Sequence, residues 1–331
     1  MLMRIFKYAV IAATITLTSV LLTPDIHARE VRVSDETRIR WMEFDVPHTV
    51  LAQAMEYDIK FHKAGTPVYW VDLLAYGAAK NWGKFPKEPH CPHISSAALK
   101  LAAGQDMAEL AQGLKLFPFY RKAYGAVLGW MVGEYEVLAG ETRERRYGLR
   151  AFFPLAQGYG YTHFDDFGAR RSYGYSRPHL GHDLMARTGT PVIAVEDGYV
   201  EAMGWNRYGG WRIGVRSVDR RRYYYYAHLR RDHPFHKALS EGGFVRAGDV
   251  LGYVGRTGYS DTENVNNISV PHLHLGLQII FDETQKDGYN QIWVDVYSLS
   301  RFLSSNKMPV RRNEQTRDFE RTITIESVAY E

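Results

Sequence analysis

Hydrophobic and polar positions recur along this chain with two different periods, and the change from one to the other falls near residue 148. Before it the period is helical. Val50, Leu51, Ala54, Met55 and Ile59 share a stripe behind Pro47, a residue suited to a first turn. Val71, Leu73, Leu74, Ala78 and Ala79 form a second stripe within 68–82. Ser95 or Ser96 is placed to cap a helix carrying Leu99 and Leu101, and Asp106 opens another with Met107, Leu110 and Leu114. After Pro118, the stretch from Tyr120 to Tyr135 reads as one more helix, with Gly125, Gly129 and Gly133 at every fourth position. Arg121, Lys122 and Glu134 flank that glycine stripe, which favours close packing in a bundle over pairing within a membrane. The pattern predicts a helical accessory domain over 29–148.

Thr142 to Arg146 is a charged break, and beyond it the helical stripes give way to short alternating runs separated by glycine turns. Val192–Val195 reads as a buried strand before the turn Asp197-Gly198. Tyr199–Trp205, the alternating Trp211, Ile213 and Val215, then Tyr223–Leu229, Val245–Gly252 and Val270–Ile280 come next as further strands. Gln291–Leu303 suggests a closing strand and short helix, and the polar residues 306–331 suggest a loosely ordered tail. The fold class implied is α+β: the helical domain followed by an all-β, antiparallel, split-barrel-like domain over 149–305.

Composition changes this picture only at the N-terminus. Arg4 and Lys7 precede an apolar run from Tyr8 to Leu22, Thr23-Pro24 breaks it, and Ile26-His27-Ala28 offers a cleavage site, the layout of a secretory signal peptide over 1–28. The run falls short of the roughly 20 apolar residues of a comfortable span, so an uncleaved membrane tether through 8–22 is the second choice. Both put the rest of the chain outside the cytoplasm, secreted or in the cell envelope. The formal net charge of +4 becomes +3 once Arg4, Lys7 and Asp25 leave with that segment, too slight to point to nucleic acid. The single cysteine, Cys91, excludes an intramolecular disulfide, so stability must come from the core or a metal. His90-Cys91-Pro92-His93 matches no zinc spacing and reads as a loop.

The candidate chemistry lies in His179-Leu180-Gly181-His182-Asp183 and, far downstream, His272-Leu273-His274. His179 and Asp183 are four apart and share a face in either a strand or a helix. Gly181 between them has no side chain to fill the space. His272 and His274 are two apart and share a strand face. Imidazoles and a carboxylate converging on one point suit zinc, with a position left for water. Alternation sends His182 to the opposite face, and His163, His233 and His236 read as ordinary hydrogen-bonded residues. Within Tyr223–Tyr226, alternation puts Tyr224 and Tyr226 on the face of His228, which makes Tyr226 a candidate for lining a groove.

These motifs come in a telling order. Arg177-Pro178-His179-Leu180-Gly181-His182-Asp183 is followed by Gly189-Thr190-Pro191-Val192, Asp197-Gly198-Tyr199-Val200, Tyr226-Ala227-His228-Leu229, Gly248-Asp249-Val250-Leu251-Gly252 and Pro271-His272-Leu273-His274. Together, over roughly 164–278, they resemble the lysostaphin-type zinc endopeptidases, the M23 peptidase family. The resemblance implies one zinc ion held by His179, Asp183 and His274, with His228 and His272 as catalytic histidines. It further implies a metalloendopeptidase whose partners are the stem or cross-bridge peptides of peptidoglycan, acting in cell-wall remodelling.

The chain departs from the family in two places. Tyr259–Val270 is longer than usual, which makes Asn266 and Asn267 candidates for the groove, and Leu275-Gly276 comes after the last histidine where relatives often have Phe-Glu. The alternative is a non-catalytic wall-binding regulator of other hydrolases, a role of relatives that have lost ligands; here all five positions are kept. A zinc carboxypeptidase would need a glutamate just before the final His-x-His, and Asn267-Ile268-Ser269-Val270 contains none.

Overall fold

The structure, a computed structural model, describes residues 28–34, 37–42, 44–86, 89–139, 141–287 and 290–328. The expected leader and tether lie outside these residues, apart from Ala28. Among the described residues no helix is long and apolar enough to cross a membrane.

The helices His48–Lys63, Trp70–Lys80, Pro92–Ala102 and Phe117–Leu128 track the apolar stripes. The third starts earlier than either serine would place it. Cys91 precedes its first turn, with its N–H donating to Gln53 Oε1 at 2.7 Å and its carbonyl accepting from Gln53 Nε2 at 3.2 Å. Asp106 does cap a helix, the single turn Met107–Leu110, by accepting from the Ala108 N–H at 2.8 Å. Asp58, buried on the first helix, accepts from the Trp70 N–H at 2.9 Å and the Tyr147 hydroxyl at 2.7 Å, joining two helices to a strand.

The helix expected to run to Tyr135 stops at Leu128. Gly129 leaves the helix with φ −52° and ψ 138°, and Trp130 takes a left-handed φ of 71°. The chain then enters the strand Val132–Ala139, paired with Thr142–Leu149. The charged run read as a break is therefore a strand whose arginines meet acids across the ladder: Arg143 with Glu136, and Arg145 with Glu134. The described part of the tail, through residue 328, is also ordered. Thr324–Ser327 adds a third strand to this ribbon, and Met308 and Ile325 are buried against Phe152, Ile193 and Tyr253. Asp318 is buried there too, accepting from the Tyr253 hydroxyl at 2.8 Å and lying 2.7 Å from His233 Nε2.

The main sheet runs, in spatial order, through Ala28–Ser34, Thr37–Met42, Gln291–Val294, His272–Ile279, Arg222–Ala227, Gly210–Ser217, Gly198–Asn206 and Phe244–Val245. Among the described residues it is open at both ends, not a closed barrel, and antiparallel except where Gln291–Val294 meets Thr37–Met42. The His272–Ile279 strand is shared along one edge. Its first half pairs with His182–Ala186 and its last residues with Gln291–Val294.

The two faces of this sheet have different fates. Tyr224, Tyr226, Leu277 and Ile279 join Trp70, Leu73, Leu128 and Phe302 in one continuous core, so the helices cover that face. A buried ion pair seals the junction: Arg222 Nε donates to Glu196 Oε1 at 2.6 Å, and Nη1 donates to the Ala126 carbonyl at 3.1 Å. Burial raises the Glu196 carboxyl above its usual range, with Arg222 opposing. The other face is left for the groove.

Candidate metal centre and groove

The register fixes the centre before any side chain is considered. His274 lies opposite Asp183 on one side and opposite Ala227 on the other. His179 precedes the His182–Ala186 strand and is tied back by its N–H to the Ala169 carbonyl at 2.8 Å. Gly181 makes the close approach tolerable, because a Cβ there would lie 2.5 Å from both Cε1 and Nε2 of the His274 ring.

Three atoms meet as a result. His179 Nε2 is 3.1 Å from Asp183 Oδ1 and 2.9 Å from His274 Nδ1, and the latter two are 3.1 Å apart. The other nitrogen of His179, Nδ1, faces Asp166 Oδ1 at 2.9 Å. The contact falls short of hydrogen-bond geometry, but a carboxylate at that distance favours a proton on Nδ1 and so leaves the lone pair of Nε2 facing inward. The inward set then offers more acceptors than hydrogens, which is the chemistry of a cation site. The spacing suits zinc, whose tetrahedral ligands at about 2.0–2.1 Å stand roughly 3.3 Å apart. The electrostatics agree. Burial alone would lower the His179 imidazole, but Asp166 and Asp183 push it up to about 9, so the pocket stabilises positive charge at that ring. Asp183 is itself buried, which would raise it, yet its contacts with His179 and His274 hold it far below the carboxylate range.

Two further histidines border the centre. His272 stands with Nε2 3.8 Å from Asp183 Oδ2 and Nδ1 2.8 Å from the Val270 carbonyl. His228 has Nδ1 2.9 Å from the Thr257 carbonyl, and its ring centroid is 4.7 Å from that of His272. Facing carbonyls, both Nδ1 atoms must carry hydrogen, so each neutral ring keeps a lone pair on Nε2. Burial, then the neighbouring imidazoles, lowers His228 well below its ordinary range.

Alternation misplaces the tyrosines. His228 has φ +62°, a left-handed conformation that costs a β-region residue about 1–2 kcal/mol and breaks the period of two. His228 therefore reaches the groove although Tyr224 and Tyr226 point into the core. Tyr226 is fully buried, its hydroxyl accepting from the Val195 N–H at 3.1 Å, and it does not line the groove. Tyr223 and Tyr225 do, lying over Gly214 and Gly209, where a Cβ would collide with their hydroxyls. Asn266 and Asn267 are likewise displaced from the groove. Asn267 Nδ2 donates to the Tyr259 carbonyl at 2.5 Å, and Asn266 bridges to Gly258. The long loop instead contributes Tyr259 to the groove wall, and Asn264 anchors it by accepting from Trp211 Nε1 at 2.8 Å. His182 lies on the opposite face, its Nε2 2.8 Å from His163 Nδ1.

Other groove residues, Arg177 aside, lie outside the motifs. Asp166 and Arg171 flank the centre, Arg171 contacting Asp166 and, at 3.3 Å, Asp183 Oδ2. Arg177, Tyr208, Arg212, Gln278 and Trp293 complete a groove of about 350 Å³. Only the alternation of the Arg222–Ala227 strand, counted from its apolar partners Ile213 and Val215, could have exposed Tyr223 and Tyr225.

A sheet-borne site with two imidazoles and one carboxylate inward, and two more histidines beside them, defines a metallopeptidase-type domain. The comparisons make that specific. Residues 177–288 match the model of peptidase family M23. The L-Ala--D-Glu endopeptidase of Bacillus subtilis (strain 168) is 40% identical over 125 residues, 38% of this chain and 37% of that protein. Lysostaphin of Staphylococcus simulans is 35% identical over 98 residues, 29% of this chain and 17% of that protein. The chain thus spans well under half the length of these curated relatives. The crystal structure of a putative glycyl-glycine endopeptidase lytM from Ruminococcus gnavus ATCC 29149 superposes with a TM-score of 0.51 at 23% identity. It covers 79% of this chain and 90% of that one, a likeness of fold.

Proposed function

We propose that the chain is an exported zinc metalloendopeptidase that hydrolyses peptide bonds of peptidoglycan in cell-wall remodelling. The observation that carries this reading is the convergence of His179 Nε2, Asp183 Oδ1 and His274 Nδ1 within about 3 Å of one another, beside two histidines whose Nε2 atoms are free to accept a proton. The substrate class is supported by the M23 match and by relatives named for peptidoglycan bonds.

Zinc, when bound by these three residues, supplies Lewis acidity to the scissile carbonyl and acidifies the attacking water. The remaining work belongs to the chain. Asp166 fixes the tautomer and ring orientation of His179. His272, nearest the ligand carboxylate, accepts a proton from the attacking water at Nε2. His272 and His228, with adjacent rings, return that proton to the leaving amine, so that water is added across the peptide bond with no net proton gained or lost. The tyrosine-floored groove holds the peptide extended along the sheet.

The test is direct: purified protein with zinc solubilises cell-wall material, and His274→Ala does not. Equal release by both would end the reading. The non-catalytic alternative predicts that equality, and the presence of all five histidine and aspartate positions speaks against it.

A further inference from the structure

The cations of the groove fall into two groups. Arg171 is paired with Asp166 and Asp183, and Lys286 with Glu201 and Asp287. Arg212 and Arg177 are different. Arg212 Nη1 is buried and has no hydrogen-bond partner, and no carboxylate among the described residues pairs with this guanidinium. Arg177 donates to the Tyr173 carbonyl at 3.2 Å and lies over the rings of Tyr208 and Tyr259 at 4.3 and 5.2 Å, again with no acid paired to it among the described residues. Arg212 as a whole is half-buried, and a guanidinium nitrogen buried without a partner is costly to a fold and leaves a charged donor ready for a carboxylate.

We propose that Arg212, supported by Arg177, binds a free carboxylate on the peptide in the groove, so that the site selects anionic peptides over neutral ones such as oligoglycine. This rests on the reading of the groove as a peptidase substrate channel. Register locates the subsite. Arg212 is next to the Ile213–Tyr226 pair and so stands beside Ala227, which is opposite His274. Two strand spacings separate Arg212 from the metal ligand, about 10 Å, or roughly three residues of extended peptide. The carboxylate read by Arg212 therefore belongs to a residue close to the bond that is cut. Tyr223 and Tyr225 floor the space between, and aromatic walls strengthen a charge-assisted hydrogen bond by excluding water.

The probes are a synthetic L-Ala-γ-D-Glu-L-Lys-D-Ala peptide with a free glutamate α-carboxylate and the same peptide with that group amidated. Binding to the metal-free protein is measured by calorimetry, and kcat/KM with the zinc-loaded protein. The wild type should favour the acid by about ten- to a hundredfold, the worth of one charge-assisted hydrogen bond. Arg212→Gln should erase the preference chiefly by weakening the acid, and Arg177→Gln should reduce it. Because Arg212 pairs with no acid among the described residues, Arg212→Gln should melt no lower than the wild type.

Equal handling of both peptides by the wild type, a preference that survives in Arg212→Gln, or a large loss of stability in that variant would each overturn the proposal, as would failure of the wild type to bind either peptide. A binding preference without cleavage would leave the carboxylate subsite standing and refute the catalytic reading. Cleavage without preference would do the reverse.

Discussion

Gly181 and His274 are locked in a steric relationship: a Cβ on the first would stand 2.5 Å from two atoms of the second's ring. The Leu275 carbonyl lies 2.8 Å from the same point, so the added methyl has no side to escape to. The glycine is what allows the third donor to reach the other two. Gly181→Ala should push the imidazole out of line and weaken zinc binding by about ten- to a hundredfold, while the metal-free protein keeps its far-ultraviolet spectrum. Competition titration with a zinc chromophore measures the loss, and native affinity in the variant would show that the ring has room.

Asp166 makes a subtler prediction. Its carboxylate holds the outer nitrogen of His179 and, through Arg171, is linked to Asp183. Asp166→Asn removes the charge but little volume. Zinc affinity should fall by about ten- to a hundredfold. The same titration decides the matter, and an unchanged constant would make Asp166 a bystander.

The junction between helices and sheet is testable through stability. Arg222→Met would leave Glu196 buried without its counter-charge, which should cost about 3–5 kcal/mol in urea unfolding. Combining it with Glu196→Leu should recover much of that loss, since a fully apolar pair strands no charge. A single variant as stable as the wild type would mean the pair adds nothing to the junction.

Acid should destabilise the protein partly through His182. Burial first, and the neighbouring His163 next, hold its imidazole down to about 3. An unfolded chain binds that proton near pH 6.5, whereas the folded one refuses it until about pH 3. The contribution of His182 is therefore whole above pH 6.5 and is lost progressively as the pH falls towards 3. Urea unfolding of the metal-free protein at pH 7.5 and pH 5 should show this decline, and His182→Asn should shrink it. An identical decline in the variant would assign the acid limb to other groups.

How far the sequence is legible depends on the kind of signal. Short-range spacing speaks clearly: the His-x-x-x-Asp and His-x-His patterns are chemically unusual, and the ladder does bring His179, Asp183 and His274 together. Apolar stripes likewise locate the helices, because each stripe has to be buried somewhere. Readings that assume an unbroken period fail. Counting in twos through His228 puts Tyr226 in the groove, and the left-handed φ of that histidine is invisible to such a count. Extending a helix past Gly129 fails for the opposite reason, since a glycine stripe fits a helix and its exit equally well. Arg171, Arg212 and Trp293 come to the groove from three separate segments, and no local pattern could announce a meeting settled by register.

The third strand of the Val132–Ala139 ribbon comes from Thr324–Ser327, nearly two hundred positions further along the polypeptide. A ribosome delivers the earlier two strands long before the one that completes them. Until those late residues emerge, the hollow around Phe152 and Tyr253 lacks Met308 and Ile325, and the newborn chain has to wait with that small core unfilled.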